Sequence, residues 1–317
     1  MNYKYTLSML TLCALLTLNS CKKEEGALTP SGSIDSYVLP QGNNAFDNTI
    51  VGYYQKYNSY LLYKFNRKDI YWRPDGYTIP SERADSTGHE VEMAEVAYIP
   101  AQLELIKTNL FDLYSDKFLK KFLPAKILLC SKVDSVSAVF DFETLKFRKS
   151  AVSVGAYSYD NSICVNYGNV KVTTMTAADK VVFLKKINTM FVENITARGL
   201  SLPTIEFTNS ADYASSMTTY AEAYGRGIIA GFSATSPSMD WNMYIRAMVT
   251  LSETKLNQET PLPASDVYPA PEPVGILNPV IDTNGQIRKR YTLVRNYFIN
   301  AYGVDLQTIG NAANPSN

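Results

Sequence analysis

Residues 177–198 read AADKVVFLKKINTMFVENITAR, and the organisation of the chain turns on this stretch. Val181, Leu184, Ile187, Met190, Phe191 and Ile195 recur at spacings of three and four, the period of a helix with one apolar face. Thr176 or Ala177 opens the helix, and Gly199 ends it, because glycine accepts the left-handed backbone that follows a helix. The segments before it have another texture. Lys126–Cys130, Ala151–Tyr157 and Ser162–Tyr167 are short apolar runs separated by turns, which is the pattern of strands. Further upstream, Asp47–Tyr57 reads as a short helix and Tyr60–Phe65 as an aromatic strand. Residues 73–95 are polar, with Pro, Gly and Ser, and read as an exposed excursion. From Pro100 a second apolar stripe begins, carried by Leu103, Ile106, Leu110 and Leu113, with the proline in the first turn.

Beyond Gly199 the helical pattern continues over Tyr213–Gly225, Asp240–Leu256 and Asp282–Ala301. A proline-rich span, Pro261–Pro279, crosses the surface between the last two. No internal repeat is present. Strands followed by helices predict an α+β fold with a small mixed sheet. Composition agrees with a globular chain: 46% of residues are hydrophobic and 19% charged, enough apolar surface to build a core. The formal net charge is zero, and no basic patch is visible, so nucleic acid is not an expected partner. Of the four cysteines, Cys130 and Cys164 fall in strand-like segments. Their spacing is not that of a metal-binding pair, and both a disulfide and two buried thiols are open to them.

The amino terminus carries its own signals. Lys4 precedes a mostly apolar run from Leu7 to Leu18, which is too short to span a bilayer and has the layout of a secretory signal. Leu18-Asn19-Ser20-Cys21 then resembles the lipobox of bacterial lipoproteins, in which the cysteine is acylated. Several acyl chains on Cys21 make a stable anchor, at about 0.8 kcal/mol for each buried methylene. This predicts a signal peptide over 1–20 and a lipidated Cys21 with a flexible tether over 21–44. Lys22-Lys23-Glu24-Glu25 resembles the signal that sends Bacteroidetes lipoproteins to the outer face of the outer membrane.

The order of elements resembles a known family. A short helix, an aromatic strand, a helix beginning near Ile99-Pro100 and a strand ending Lys126-Ile127-Leu128-Leu129 come first. A helix from residue 177, a Gly231-Phe232-Ser233 turn and a last helix closing on Tyr302-Gly303-Val304-Asp305-Leu306 follow. The arrangement resembles the zinc-binding metallopeptidase lipoproteins of the Bacteroidetes, a zincin-like family associated with SusC/SusD-type nutrient importers. The resemblance spans residues 45–310, with 311–317 as a tail, and implies a zincin-like fold. In that family H-E-x-x-H places two zinc-binding histidines on one helix face, with a glutamate that activates the metal-bound water. Here Val192 and Thr196 stand at the histidine positions and Glu193 at the base position. A second family feature, an acidic run after the Gly-Phe-Ser turn, is matched by Ser236-Pro237-Ser238-Met239-Asp240-Trp241-Asn242-Met243. Asp240 is kept, while methionine replaces both glutamates. The chain has one histidine, His89, so H-E-x-x-H occurs nowhere in it. His89 itself reads as a solvated loop residue.

The resemblance therefore implies a degenerate site without zinc. Val192, Glu193, Thr196, Asp240 and Met243 are expected to line an emptied cleft, with Trp241 either a core residue or an aromatic contact for a peptide or glycan. The function expected is a surface-exposed, lipid-anchored pseudo-metallopeptidase, a non-catalytic binding or accessory subunit of a SusC/SusD-type importer. The competing expectation is an active hydrolase, either a metallohydrolase with atypical ligands or a carboxylate-pair glycosidase drawing on Glu193, Glu206, Asp212, Glu222 and Asp240. Serine or cysteine triads lack a suitable histidine base.

Overall fold

The computed structural model describes residues 37–66, 68–71, 79–233, 235–264 and 271–315. The expected signal peptide, Cys21 and most of the expected tether lie outside the described residues. The compact unit begins at Leu39. Its first residues are tied down: Gln41 accepts from the Tyr63 N–H at 2.9 Å and donates to the Lys64 carbonyl at 2.5 Å.

The order is α1 (Asp47–Tyr57), β1 (Tyr60–Leu62), β2 (Gly88–Met93), α2 (Ile99–Asn109), α3 (Asp116–Phe122), β3 (Lys126–Asp141), β4 (Lys146–Ser153), β5 (Ala156–Tyr159) and β6 (Ser162–Val165). Then come α4 (Ala177–Ala197), α5 (Ile205–Asn209), α6 (Tyr220–Gly225), α7 (Pro237–Thr250), α8 (Gln286–Tyr302) and α9 (Leu306–Ala312), with single turns between some of them. The class is α+β, a mixed sheet followed by helices. Among the described residues no helix is long and apolar enough to cross a membrane.

The described strands form one sheet built on β3. The first part of β3 pairs in parallel with β1 on one side and β6 on the other, and β5 adds to β6 antiparallel. Residues Ile127–Cys130 are fully buried, as expected of a strand covered on both faces. The far part of β3 pairs antiparallel with β2 and β4. Between the two regimes the ladder is broken, and buried amides take up the freed backbone groups. Gln102 Nε2 donates to the carbonyls of Cys130 and Val165 at 3.0 and 2.9 Å, and Asn166 Nδ2 donates to those of Val133 and Val154 at 3.3 and 2.8 Å. Cys130 and Cys164 lie on adjacent strands, both fully buried and both free thiols. Burial pushes the Cys130 thiol up, and its hydrogen bond with Cys164 adds to the shift.

Several expectations need correction. The excursion over 73–95 contains β2, a half-exposed edge strand whose Glu90-Val91-Glu92-Met93 alternation is too short to stand out in a polar stretch. His89 is therefore a strand residue, stacked on Tyr157 with ring centroids 3.6 Å apart. The strand expected over Ala151–Tyr157 is two strands broken at Val154-Gly155. A Cβ on Gly155 would stand 3.1 Å from the ring of Phe183, so α4 passes too close for a continuous ladder with side chains there. β4 is exposed along its whole length and lacks the apolar alternation that marks a half-buried strand. Only Tyr220–Gly225 is helical in the stretch expected from Tyr213. Asp240–Leu256 divides at Leu251, where Ser252 accepts from the Lys255 N–H and caps a separate turn.

A histidine-free groove between two helices

Helix α4 is set by its ends as well as its stripe. Thr176 Oγ1 accepts from the Asp179 N–H at 3.1 Å while Asp179 accepts from the Thr176 N–H at 2.9 Å, a reciprocal capping box. Backbone contacts hold the carboxyl of Asp179 below its ordinary range, with Lys171 adding to them. Phe183, Ile187, Phe191, Val192 and Ile195 face the core. At the other end the Gly199 φ of 64° turns the chain away. Helix α7 starts at Ser236, whose hydroxyl accepts from the Met239 N–H, with Pro237 in the first turn.

The two helices run against each other in opposite directions and leave a groove. Val192, Glu193, Thr196 and Ala197 from α4 share a cavity of about 340 Å³ with Met239, Asn242, Met243 and Arg246 from α7, and Ala230 closes one wall. A second cavity of about 360 Å³ adjoins it through Met243 and Arg246, and is lined by Val182, Lys185, Lys186 and Thr189 on α4. Glu193 and Arg246 face each other from opposite helices at 3.6 Å, an exposed ion pair where the cavities meet.

Four of the residues singled out in the sequence, Val192, Glu193, Thr196 and Met243, thus line one cavity. Two do not. Asp240 is fully buried on the inner side of α7, 2.8 Å from Arg290, which is also fully buried. It accepts as well from the N–H groups of Ile229 and Ala230 at 2.7 and 3.0 Å, and from the Tyr213 hydroxyl at 2.9 Å. Burial pushes this carboxyl up against the opposing pull of Arg290 and those donors. Asp240 therefore shapes the groove from behind, by holding the Ala230 wall. Trp241 is fully buried too, its indole N–H donating to Ser201 Oγ at 2.8 Å and its ring edge-on to Phe207 and Tyr297. It is a core residue and presents no face to a ligand.

The residues at the histidine positions do not fit a zinc ion. Valine has no donor atom, and the Thr196 hydroxyl donates to the Val192 carbonyl at 3.0 Å within its own helix. Among the described residues no three of His, Cys, Asp and Glu gather in a set that could hold a metal ion. His89 lies on β2, held below its ordinary pKa by burial and then by the charge of Lys186.

Nor does the groove bring two carboxylates together beside the apolar cavity, where Glu193 is the one acid among the described lining residues. Glu206 is exposed on α5, Asp212 faces Arg226 at 3.7 Å, and Glu222 accepts from the Thr218 N–H at 2.6 Å at the start of α6. The sequence reading did not place Met239, Asn242, Arg246 or Lys186 in the cleft. The first three share the spacing i, i+3, i+7 with one another, and with Met243 they mark a single helix face that was open to inspection.

Comparison with solved structures finds the crystal structure of a putative zinc-binding metallo-peptidase from Bacteroides caccae ATCC 43185. It is 12% identical, aligned over 84% of this chain and 89% of that one, with a TM-score of 0.44. No family model matches the chain, and no curated protein does.

Proposed function

We propose that this chain is a zincin-like pseudo-metallopeptidase that binds a ligand in the groove between α4 and α7 without cleaving it. On this reading it is anchored through Cys21 at the cell surface and serves as an accessory of a SusC/SusD-type importer. The observation that carries the reading is the cavity itself. Val192, Glu193 and Thr196 line it with the spacing of a zinc-binding helix, yet the two outer positions offer no group that can ligate a metal. Methionines from α7 cover the opposite wall, and thioether side chains suit adaptable apolar contact.

The test combines metal analysis with fractionation. Purified protein is expected to hold well under one equivalent of zinc and to leave peptide substrates intact, and the native protein is expected in the outer-membrane fraction and released from it by Cys21→Ala. Near-stoichiometric zinc, lost together with hydrolysis on Glu193→Gln, would sink the non-catalytic reading. Retention of the Cys21→Ala variant in the membrane would remove the anchor from it.

A further inference from the structure

The groove is not chemically uniform. Around Val192, Ala197, Met239 and Met243 it is apolar, and toward the start of α4 it turns cationic, with Lys185, Lys186 and Arg246 on its walls. Two of these cations have a local acid: Lys185 lies 4.0 Å from Glu272, and Arg246 lies 3.6 Å from Glu193. Lys186 has no carboxylate within ion-pair distance among the described residues. It is half-buried, and loss of water holds its amine below the ordinary lysine value, against the pull of the more distant Glu193. A desolvated cation beside a second cation, in a cavity of about 360 Å³, is a place where an incoming anion is stabilised by both.

We propose that the groove takes an extended peptide whose carboxylate is seated at Lys186 and Arg246 while an apolar side chain fills the Val192–Met243 cavity. The proposal rests on the binding reading above and names its ligand class. A peptide is favoured over a sugar because neither cavity is lined by an aromatic ring on which a sugar face would stack. The geometry also sets a spacing. Lys186 precedes the Val192–Thr196 turn by six to ten residues, about 9–15 Å along a helix. An extended chain covers about 3.3 Å per residue, so the acid and the apolar side chain belong about three to five residues apart, and three is the spacing to Val192.

Calorimetric titration of the full-length protein tests this with three synthetic peptides. They are N-acetyl-Leu-Ala-Ala-Ala as the free acid, the same peptide as the C-terminal amide, and N-acetyl-Leu-Ala-Ala-Glu-Ala amide. The free acid is expected to bind at least tenfold tighter than its amide. Lys186→Met is expected to close that gap by weakening binding of the free acid, with an unaltered thermal melt showing that the variant folds. If the glutamate peptide matches the free acid, the carboxylate comes from a side chain; if it matches the amide, it comes from a chain end; either supports the subsite. Equal binding of acid and amide to the wild type would overturn the anionic subsite and leave the binding groove standing. Binding of a glucuronate disaccharide with no peptide bound would overturn the peptide class. Failure of every probe would overturn the binding reading together with this one.

Discussion

Asp240 and Glu193 are both acids on the helices that wall the groove, and their surroundings give them opposite roles. Asp240 accepts from three groups and from a guanidinium that is itself out of water. Arg290 in turn donates to the Phe207 carbonyl at 2.9 Å and lies 3.7 Å over the Phe207 ring. Breaking a buried pair from one side strands the other charge and typically costs about 3–5 kcal/mol. Asp240→Ala is therefore expected to lower stability by about that amount in urea denaturation. Glu193→Gln, which removes an ion pair more than two-fifths exposed on both sides, is expected to cost about 0–1 kcal/mol. Similar losses for the two variants would contradict this division of roles. The sequence could not separate them, because Arg290 lies 50 positions from Asp240. Trp241, Tyr244, Ile245 and Met248 mark the inner face of α7, but an acid beside that stripe reads as a solvated charge until its buried partner is known. Trp241 read as either a core residue or a ligand contact, and its Ser201 partner is 40 positions away.

Among the elements, α4 was legible almost to the residue because period, cap and stop signal agree along one stretch. Its capping box also makes a prediction. Thr176→Ala is expected to cost about 1 kcal/mol, read from the thermal or urea midpoint. Asp179 adds a pH dependence to the same helix end. Its folded-state pKa lies below the unfolded value, so the stabilisation is complete above about pH 4 and is lost as pH falls through the native titration. Hydrogen exchange of the first turn of α4 should therefore quicken on acidification, and Asp179→Asn should flatten that response. An unchanged profile in the variant would refute the assignment. The hairpin of β3 and β4 shows the other extreme. Phe142 and Leu145 at its tip are 83% and 72% exposed, and Phe140 packs edge-on to Phe142 and Phe147 at 5.1 and 5.2 Å. With neither face of β4 buried, no burial pattern is imposed on that arm, and only part of the hairpin could be read from the sequence. The short helices α3, α5 and α9 were missed for a related reason. Each spans two turns or fewer, too short to establish a period, and only their caps, such as Ser115 accepting from the Phe118 N–H, give them away.

For the molecule as a whole, the sequence conveyed the class and the order of elements but not the path of β3. That strand joins a parallel half to an antiparallel half, and the join depends on Gln102 and Asn166, polar residues that a hydropathy pattern assigns to the surface. The groove was legible in part. Val192, Glu193 and Thr196 belong to one stretch, so their proximity followed from helical spacing alone. The cationic half required knowing that α7 lies antiparallel to α4, which places Arg246 beside Glu193 and Lys186. The buried thiols of Cys130 and Cys164 on β3 and β6 give this architecture a clock. A thiol-specific reagent can reach them only when the structure covering their face of the sheet opens, so their labelling rate at saturating reagent measures how often that opening occurs. That rate is expected to be far slower than for an exposed cysteine. A ligand held between α4 and α7 should slow it further, by drawing the population toward the closed molecule.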